Sequence, residues 1–185
     1  FYSFNIDFNG GFISAMKNVY ILGATGTIGL QTIAVILNHQ EKFNVVGLSL
    51  GRTNKDKHYE IIKSLNPEIV SLRDKDLKYK KDFPEIKFVY GDSVLIDVVK
   101  YNKPGIVVNG ISGSAGLVPT VKAIKSKKDI ALANKETLVM AGDIINRLIK
   151  EYKVSLIPID SEHNALLNAL IGEDIKDVNS LIITA

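Results

Sequence analysis

The sequence predicts a doubly wound α/β fold with a mainly parallel sheet and helices on both faces. From residue 16 onward, short β-branched runs alternate with amphipathic stretches of helical period. The 185 residues are 46% hydrophobic and 23% charged, the balance of a globular protein. This length allows one domain, or one domain and part of a second.

Eight apolar runs are predicted as strands, and the stretches between them as helices. The predicted strands are residues 19–22, 45–50, 69–72, 88–90, 106–108, 130–133, 154–159 and 181–185. In the first predicted helix, one face carries Leu30, Ile33, Ala34 and Leu37 at i, i+3, i+4 and i+7. Further helices are predicted at residues 56–65, 92–99, 117–127, 138–148 and 165–170.

The composition excludes several classes of site. Cysteine is absent, which rules out disulfide scaffolds, thiolate zinc sites and cysteine nucleophiles. Only three histidines occur, so a histidine-rich metal site is not expected. The net charge is +3, but 20 of the 23 basic residues are scattered lysines, so no nucleic-acid partner is expected. No apolar run is long enough for a membrane helix.

The first residues are expected to lie outside the folded domain. Residues 1–16 lack the basic head and continuous apolar core of a secretory signal. They are interpreted as a poorly ordered leader or a cloning remnant. With no targeting segment visible, the expected location is the cytoplasm, or a plastid if the source is a plastid-bearing eukaryote.

The strongest local motif is the segment Gly23-Ala-Thr-Gly-Thr-Ile-Gly29, between the first predicted strand and helix. Its spacing is a variant of the dinucleotide-binding fingerprint of Rossmann folds. Gly23 would allow the tight turn, Gly26 the approach of a pyrophosphate, and Gly29 close packing of the helix. The helix N-terminus would offer free N–H groups to the phosphates. An ordinary glycine-rich turn is the alternative.

The end of the second strand distinguishes the two nicotinamide cofactors. NAD sites usually place an Asp or Glu there for the ribose 2′-hydroxyl. This chain instead continues Gly51-Arg52-Thr53, with no carboxylate before Asp56. The guanidinium group of Arg52 suits a 2′-phosphate, which favours NADP(H) over NAD(H). The alternative is a surface arginine in a loop.

A candidate anion site follows the strand at residues 130–133. Asn134 can cap the next helix, and Glu136 suits its first turn. Lys135 opposes the helix dipole there, which a phosphorylated ligand facing it would explain. An exposed lysine without a ligand is an equal alternative.

A candidate metal site follows the strand at residues 154–159. Residues two apart in extended backbone point the same way, so Asp160 and Glu162 could share a divalent cation. Oxygen ligands would suit Mg²⁺ or Mn²⁺. The alternative is that Asp160 or Ser161 caps the next helix and that Glu162 favours its first turn. On these residues alone the helix cap ranks slightly ahead.

Five segments occur in a characteristic order. They are the glycine motif at 23–29, Gly51-Arg-Thr53, Gly113-Ser-Ala-Gly-Leu-Val-Pro-Thr120, Ala131-Leu-Ala-Asn-Lys-Glu-Thr-Leu-Val139 and Pro158-Ile-Asp-Ser-Glu-His-Asn164. With them, the chain from about Lys17 to Ala185 resembles the 1-deoxy-D-xylulose 5-phosphate reductoisomerase family. The last two segments are far more specific than the glycine motif.

The resemblance implies an NADPH-dependent conversion of 1-deoxy-D-xylulose 5-phosphate to 2-C-methyl-D-erythritol 4-phosphate in non-mevalonate isoprenoid biosynthesis. A metal-assisted rearrangement gives an aldehyde that NADPH reduces. By position, the implied cofactor contacts are Thr25, Gly26, Thr27, Ile28, Gly51, Arg52, Thr53, Asn134 and Glu136. Lys135, Ser161 and Glu162 are implied at the phosphorylated sugar substrate, with Lys135 and Glu162 catalytic. Mg²⁺ or Mn²⁺ is implied on Asp160 and Glu162, which moves the metal interpretation ahead of the cap.

The resemblance also implies two domains. Residues 17–153 would form the NADPH-binding Rossmann domain, and residues 154–185 the truncated start of an α+β catalytic and metal-binding domain. Family members are longer, with a third metal carboxylate and substrate-phosphate contacts further along. The chain is therefore expected to be a fragment with little turnover alone, and the full-length enzyme a homodimer. The alternative is a non-catalytic, stand-alone NADP-binding module.

Overall fold

The strands of the described part of the chain form one parallel sheet. The computed structural model describes residues 16–52 and 54–182. The strands are β1 Lys17–Leu22, β2 Phe43–Leu50, β3 Ile69–Leu72, β4 Lys87–Tyr90, β5 Ile106–Asn109, β6 Asp129–Leu132 and β7 Leu156–Pro158. Their order across the sheet is β4-β3-β2-β1-β5-β6-β7. The predicted doubly wound α/β class is confirmed.

Each of the seven described strands is followed by an α-helix after a short connection. The α-helices are α1 Thr27–Asn38, α2 His58–Leu65, α3 Leu77–Asp82, α4 Val94–Val99, α5 Leu117–Lys125, α6 Lys135–Tyr152 and α7 Ser161–Ala169. Short 3₁₀ turns occur at Lys55–Lys57, Gly113–Gly116 and Ile175–Asp177. Among the described residues, no helix is both long and apolar enough to cross a membrane.

Alternate residues of β1 enter two separate hydrophobic cores. Val19 and Ile21 pack in the core that α1 and α2 cover. Tyr20 and Leu22 pack in the core that α4, α5 and α6 cover. Because side chains alternate across a strand, a central strand that is apolar throughout must be covered on both faces. This double cover explains why the first predicted strand shows no polar alternation.

The direction of winding reverses between β1 and β5. The strands β2, β3 and β4 extend the sheet on one side of β1, whereas β5, β6 and β7 extend it on the other. In open sheets of this kind, a crevice forms at the carboxyl ends of the two strands where the winding reverses. The loops after β1 and β5 therefore mark the expected binding edge.

Three sequence-based expectations differ from the structure. In α1 the buried residues are Gly29, Ile33 and Ile36, whereas the predicted Ala34 is exposed. The buried face therefore runs through Gly29, which packs against the backbone of Gly23 and Ala24. The helix α3 was not predicted, because its sequence Leu-Lys-Tyr-Lys-Lys-Asp contains no buried residue. Residues 181–182 of the last predicted strand adopt no strand, and residues 183–185 lie outside the described residues.

Two predicted boundaries stay untested. Residues 1–15 of the predicted leader lie outside the described residues. The domain boundary after residue 153 stays a prediction, and the structure places β7, which follows it, in the same sheet, with Leu156 paired to Ile130 of β6.

Gly29 gives a test of the close packing between α1 and the end of β1. A Cβ at Gly29 would lie 2.5 Å from the Cα of Ala24 and closer still to the carbonyl oxygen of Gly23. Since the obstacle is backbone, Gly29→Ala is expected to lower the free energy of unfolding by about 3 kcal/mol. Urea unfolding followed by circular dichroism measures this change.

The matched control is Gly142→Ala, another glycine within a helix. A Cβ at Gly142 meets nothing within 4 Å. Gly142 follows the kink of α6 at Ala141, so this variant is expected to change the free energy of unfolding by less than about 1 kcal/mol. Equal effects of the two substitutions would contradict the packing argument.

Candidate functional site

The candidate site residues lie at the carboxyl edge of the sheet. The glycine loop follows β1, Gly51 and Arg52 follow β2, and the segment 134–136 follows β6. Asp160 and Glu162 follow β7 at the start of α7. Thr53 lies outside the described residues, so its predicted role stays a prediction.

The glycine loop leaves the N-terminus of α1 without a side-chain cap. Gly23 has φ +77°, and its carbonyl accepts a hydrogen bond of 2.9 Å from the amide of Gly26. Gly26 precedes α1 in extended conformation, and the amide of Leu30 makes the first helical bond to its carbonyl. The amides of Thr27, Ile28 and Gly29 lie before this first bond, in the turn whose N–H groups have no acceptor within the helix. Such a helix start suits a pyrophosphate.

The glycine loop contacts the loops after β2 and β5. A Cβ at Gly23 would lie 3.4 Å from the carbonyl oxygen of Gly110. The carbonyl of Thr25, a residue only 2% exposed, accepts a hydrogen bond of 2.9 Å from the side chain of Asn54. Asn54 has φ +51°, a conformation that asparagine tolerates better than most residues. The loop after β2 is thereby fixed against the glycine loop.

Arg52 belongs to a charged cluster that sequence analysis did not find. Its Nε and Nη2 donate to the two carboxylate oxygens of Asp74, at 3.3 and 3.0 Å. Lys55 Nζ lies 3.3 Å from the same carboxylate. These hydrogen bonds lower the pKa of Asp74 and raise that of Arg52. Asp74 comes from the end of β3, and only the sheet order brings it beside Arg52.

A small cavity adjoins this cluster. Its volume is about 200 Å³, and its lining includes Arg52, Lys55, Asp74, His58 and Tyr79. The imidazole of His58 is buried, which lowers its pKa, and its Nδ1 lies 3.4 Å from the hydroxyl of Tyr79. The cavity combines cationic groups with an aromatic wall, a chemistry that suits a phosphorylated ribose.

The side-chain amide of Asn134 makes four hydrogen bonds within the protein. Its amide nitrogen donates to the carbonyls of Ile111 and, at 2.7 Å, of Gly113. Its amide oxygen accepts from the backbone and hydroxyl groups of Thr137, both at 2.8 Å. The side chain thus caps α6, as predicted, and ties the loop after β5 to it. Because all four hydrogen-bonding positions of the side chain are used, a cofactor contact of Asn134 would have to come from its backbone. That contact stays a prediction.

A second buried amide supports the same loop. Asn109 ends β5 and is fully buried, and its amide nitrogen donates 2.8 Å to the hydroxyl of Thr120 and 3.1 Å to the carbonyl of Gly116. Its amide oxygen accepts from the backbone of Ile111 at 3.1 Å. Sequence analysis missed this residue because a lone asparagine after an apolar strand carries no distinguishing signal.

Lys135 and Glu162 come together from two different helix starts. The ammonium group of Lys135 lies 3.4 Å from a carboxylate oxygen of Glu162, and the hydroxyl of Ser161 donates 2.7 Å to the other. The Ser161 hydroxyl chiefly, with Lys135 contributing, lowers the pKa of Glu162 to about 2. Glu162 is therefore ionised throughout the neutral range. Glu136 is exposed in the first turn of α6.

Asp160 caps α7, so the alternative weighed from the sequence describes its local structure. Its Oδ1 accepts 2.9 Å from the amide of His163 and lies 2.8 Å from the ring Nδ1 of the same residue. The argument from extended backbone is wrong, because Ser161 and Glu162 are already helical. His163 therefore orients Asp160.

The donor set of this edge fits a hard divalent cation only in part. Asp160 Oδ2 has no hydrogen-bond partner among the described residues, and Glu162 is ionised. Carboxylate oxygens are the ligands that Mg²⁺ and Mn²⁺ prefer. Within residues 16–52 and 54–182, however, no group of three or more His, Cys, Asp or Glu could hold a metal ion.

Comparison with known proteins decides the family. A protein-family model for 1-deoxy-D-xylulose 5-phosphate reductoisomerase matches residues 19–142. The chain belongs to this family. A curated 1-deoxy-D-xylulose 5-phosphate reductoisomerase of Bacillus subtilis is 47% identical over 174 residues. The match covers 92% of this chain and 45% of that relative, so the chain spans less than half of the relative's length.

Solved structures of reductoisomerases share the fold. One, from Zymomonas mobilis in complex with NADPH, has a TM-score of 0.73 and 31% identity, covering 83% of this chain and 41% of that one. Another, a DOX-P reductoisomerase with NADPH, fosmidomycin and magnesium, has a TM-score of 0.76 and 33% identity. That match covers 83% of this chain and 38% of the other.

Asn134 gives a test of the loop support at this edge. In Asn134→Ala, two partly buried carbonyls and the buried amide and hydroxyl of Thr137 lose their side-chain partner. The free energy of unfolding is expected to fall by about 3 kcal/mol, from the lost helix cap and the unsatisfied polar groups. Chemical denaturation measures the change.

The control substitution is Asn168→Ala on α7. The amide of Asn168 donates 2.7 Å to Asn164 in an exposed pair. Its loss is expected to change stability by less than about 0.5 kcal/mol. A stability of Asn134→Ala close to that of Asn168→Ala would mean that the four hydrogen bonds of the Asn134 side chain contribute little.

Proposed function

We propose that the protein takes part in the NADPH-dependent conversion of 1-deoxy-D-xylulose 5-phosphate to 2-C-methyl-D-erythritol 4-phosphate, a step of non-mevalonate isoprenoid biosynthesis. The observation that carries the proposal is the shared edge of the sheet. One edge holds an uncapped helix start after the glycine loop, a guanidinium group after β2, and the Lys135–Glu162 pair beside Asp160. A dinucleotide phosphate, a phosphorylated sugar and a cation are the ligands that these groups fit.

The chain offers separate contacts to the pyrophosphate and to the 2′-phosphate of the cofactor. The first amides of α1, at Thr27 and Ile28, would hold the pyrophosphate, since a helix N-terminus attracts anions. Arg52 and Lys55 would hold the 2′-phosphate by charge-assisted hydrogen bonds. When bound, NADPH supplies the hydride. The fit of the glycine loop rests on its geometry, because a Cβ at Gly26 would fall 3.3 Å from the carbonyl oxygen of Gly23 and narrow the approach to the loop.

Lys135, Ser161 and Glu162 would act on the sugar phosphate. The side chain of Lys135 is 55% exposed, and its ammonium group would offer a positive charge to an anionic substrate. Ser161 offers a hydroxyl, and Glu162 an ionised carboxylate. A divalent cation on Asp160 and Glu162 would supply Lewis acidity toward substrate oxygens, and it needs further ligands beyond these two.

Several expectations from the sequence stay predictions. They are a cytoplasmic location, the absence of a nucleic-acid partner, a homodimer and little turnover by the 185-residue chain alone. A stand-alone NADP-binding module is the competing function.

The cofactor assignment predicts a preference for NADPH that depends on Arg52. Titration of the chain, followed by cofactor fluorescence, is expected to show tighter binding of NADPH than of NADH. Arg52→Gln is expected to weaken NADPH binding about tenfold and not to weaken NADH binding, since only NADPH carries the 2′-phosphate. Arg147→Gln, an exposed arginine on α6, is the charge-matched control. Equal affinities of the unmodified chain for both cofactors would refute the assignment.

The catalytic assignment is tested in a hybrid enzyme. In the Bacillus subtilis relative, this chain replaces the segment that it matches, and NADPH oxidation is followed with 1-deoxy-D-xylulose 5-phosphate and Mn²⁺. The hybrid is expected to turn over, and Asp160→Asn to reduce its kcat at least about 100-fold through weaker cation binding. Asparagine retains the helix cap, so folding is preserved.

Asp97→Asn is the control for the loss of one negative charge, because Asp97 is exposed on α4. A hybrid that binds NADPH but never oxidises it would instead support the stand-alone binding module.

A further inference from the structure

Asp74 is bound to both Arg52 and Lys55 in the charged cluster after β2. Its carboxylate receives both the Nε and the Nη2 hydrogen bonds of Arg52, and it also contacts Lys55 at 3.3 Å. These are the two cations assigned above to the 2′-phosphate. A phosphate that approaches Arg52 and Lys55 therefore meets a carboxylate already bound to both.

The charges of the cluster set the direction of the effect. Arg52 and Lys55 carry two positive charges, and Asp74 removes one of them. A phosphate monoester carries between one and two negative charges at neutral pH. Asp74 therefore both competes for the donors and repels the incoming group, and the side chains of Arg52 and Asp74 are exposed enough, at 63% and 49%, for the pair to open.

The same carboxylate has the opposite effect on NADH. That cofactor carries a 2′-hydroxyl group, which donates a hydrogen bond to a carboxylate in typical NAD sites. Such sites take the carboxylate from the end of the second strand, where this chain has Gly51 and Arg52. Here Asp74 arrives from the end of β3, the neighbour of β2. The cluster thus holds a cation for a phosphate and an acceptor for a hydroxyl side by side.

We propose that Asp74 is a specificity-determining residue that limits the preference of this site for NADPH over NADH. It does so as an intramolecular competitor of the 2′-phosphate at Arg52 and Lys55. The inference rests on the proposed binding of NADPH. It assigns to Asp74 a role in choosing the cofactor that the family comparison does not assign.

Asp74 is suited to substitution because the fold does not depend on it. Asp76, and not Asp74, caps α3, by accepting a hydrogen bond of 2.9 Å from the amide of Lys78. In the described part of the chain, the only hydrogen bonds of the Asp74 carboxylate go to Arg52 and Lys55. Asparagine has the same shape without the charge, so Asp74→Asn removes the competition and keeps one acceptor for Arg52.

The experiment compares dissociation constants of NADPH and NADH for the whole chain, by fluorescence titration at low and high salt. In Asp74→Asn, the ratio of the NADH constant to the NADPH constant is expected to rise about five- to tenfold at low salt. The rise is expected to be smaller at about 0.5 M salt, because salt screens the interactions between exposed charges. Asp74→Ser, also neutral, is expected to give the same direction.

Glu41→Gln is the control, because it removes one negative charge from an exposed side chain beyond the far end of α1. Its ratio is expected to match that of the unmodified chain. An unchanged or lower ratio in both Asp74 variants would overturn the inference and show that Asp74 only orients Arg52. An unmodified chain that binds neither cofactor would overturn the proposed function as well, so the two failures are distinguishable.

Discussion

Parallel pairing of every described strand is the constraint on which the site depends. Each strand must return to the same edge through a crossover, so the strand ends and the helix starts that follow them share one side of the sheet. Helix starts carry unpaired amides and a positive dipole end. This edge therefore attracts anions before any side chain is considered. Arg52 and Lys135 add charge to a surface that the backbone has already made favourable for phosphate.

The cations at this edge are each held by a carboxylate. Arg52 is paired with Asp74, and Lys135 with Glu162, in contacts between 3.0 and 3.4 Å. Exposed pairs of this kind stabilise a protein little, so a ligand can separate them at small cost. They nevertheless hold long, flexible side chains near the place where a ligand would bind. The free protein thus keeps its cations ordered and partly neutralised.

The sequence was sufficient where one residue type has one structural consequence. β-Branched runs predicted the seven strands that the structure describes, and the glycine motif predicted the turn into α1. Prediction failed where the outcome depends on residues far apart in the chain. Asp74 and Arg52 are separated by 22 positions and meet only because β3 lies beside β2. The apolar spacing from Leu30 does not give the inner face of α1, because the buried residues Gly29, Ile33 and Ile36 include a glycine that has no apolar side chain to mark it. The helix α3 has no apolar face, and periodicity cannot detect such a helix.

Helix capping and ligand binding are alternatives for Asp160 in the sequence, but in the structure the cap occupies only one of the two carboxylate oxygens. A carboxylate has two oxygens, and the cap of α7 uses Oδ1 alone. His163 holds that oxygen from the ring as well as from the backbone, which leaves the orientation of Oδ2 set by the cap. At the start of α6, Asn134 is the helix cap and its neighbour Lys135 is exposed. The buried side-chain amide of Asn134 caps α6, and this fixes the position from which the exposed Lys135 contacts Glu162. A helix cap at the carboxyl edge of a parallel sheet is therefore a means of placing a functional group, and its presence does not argue against one.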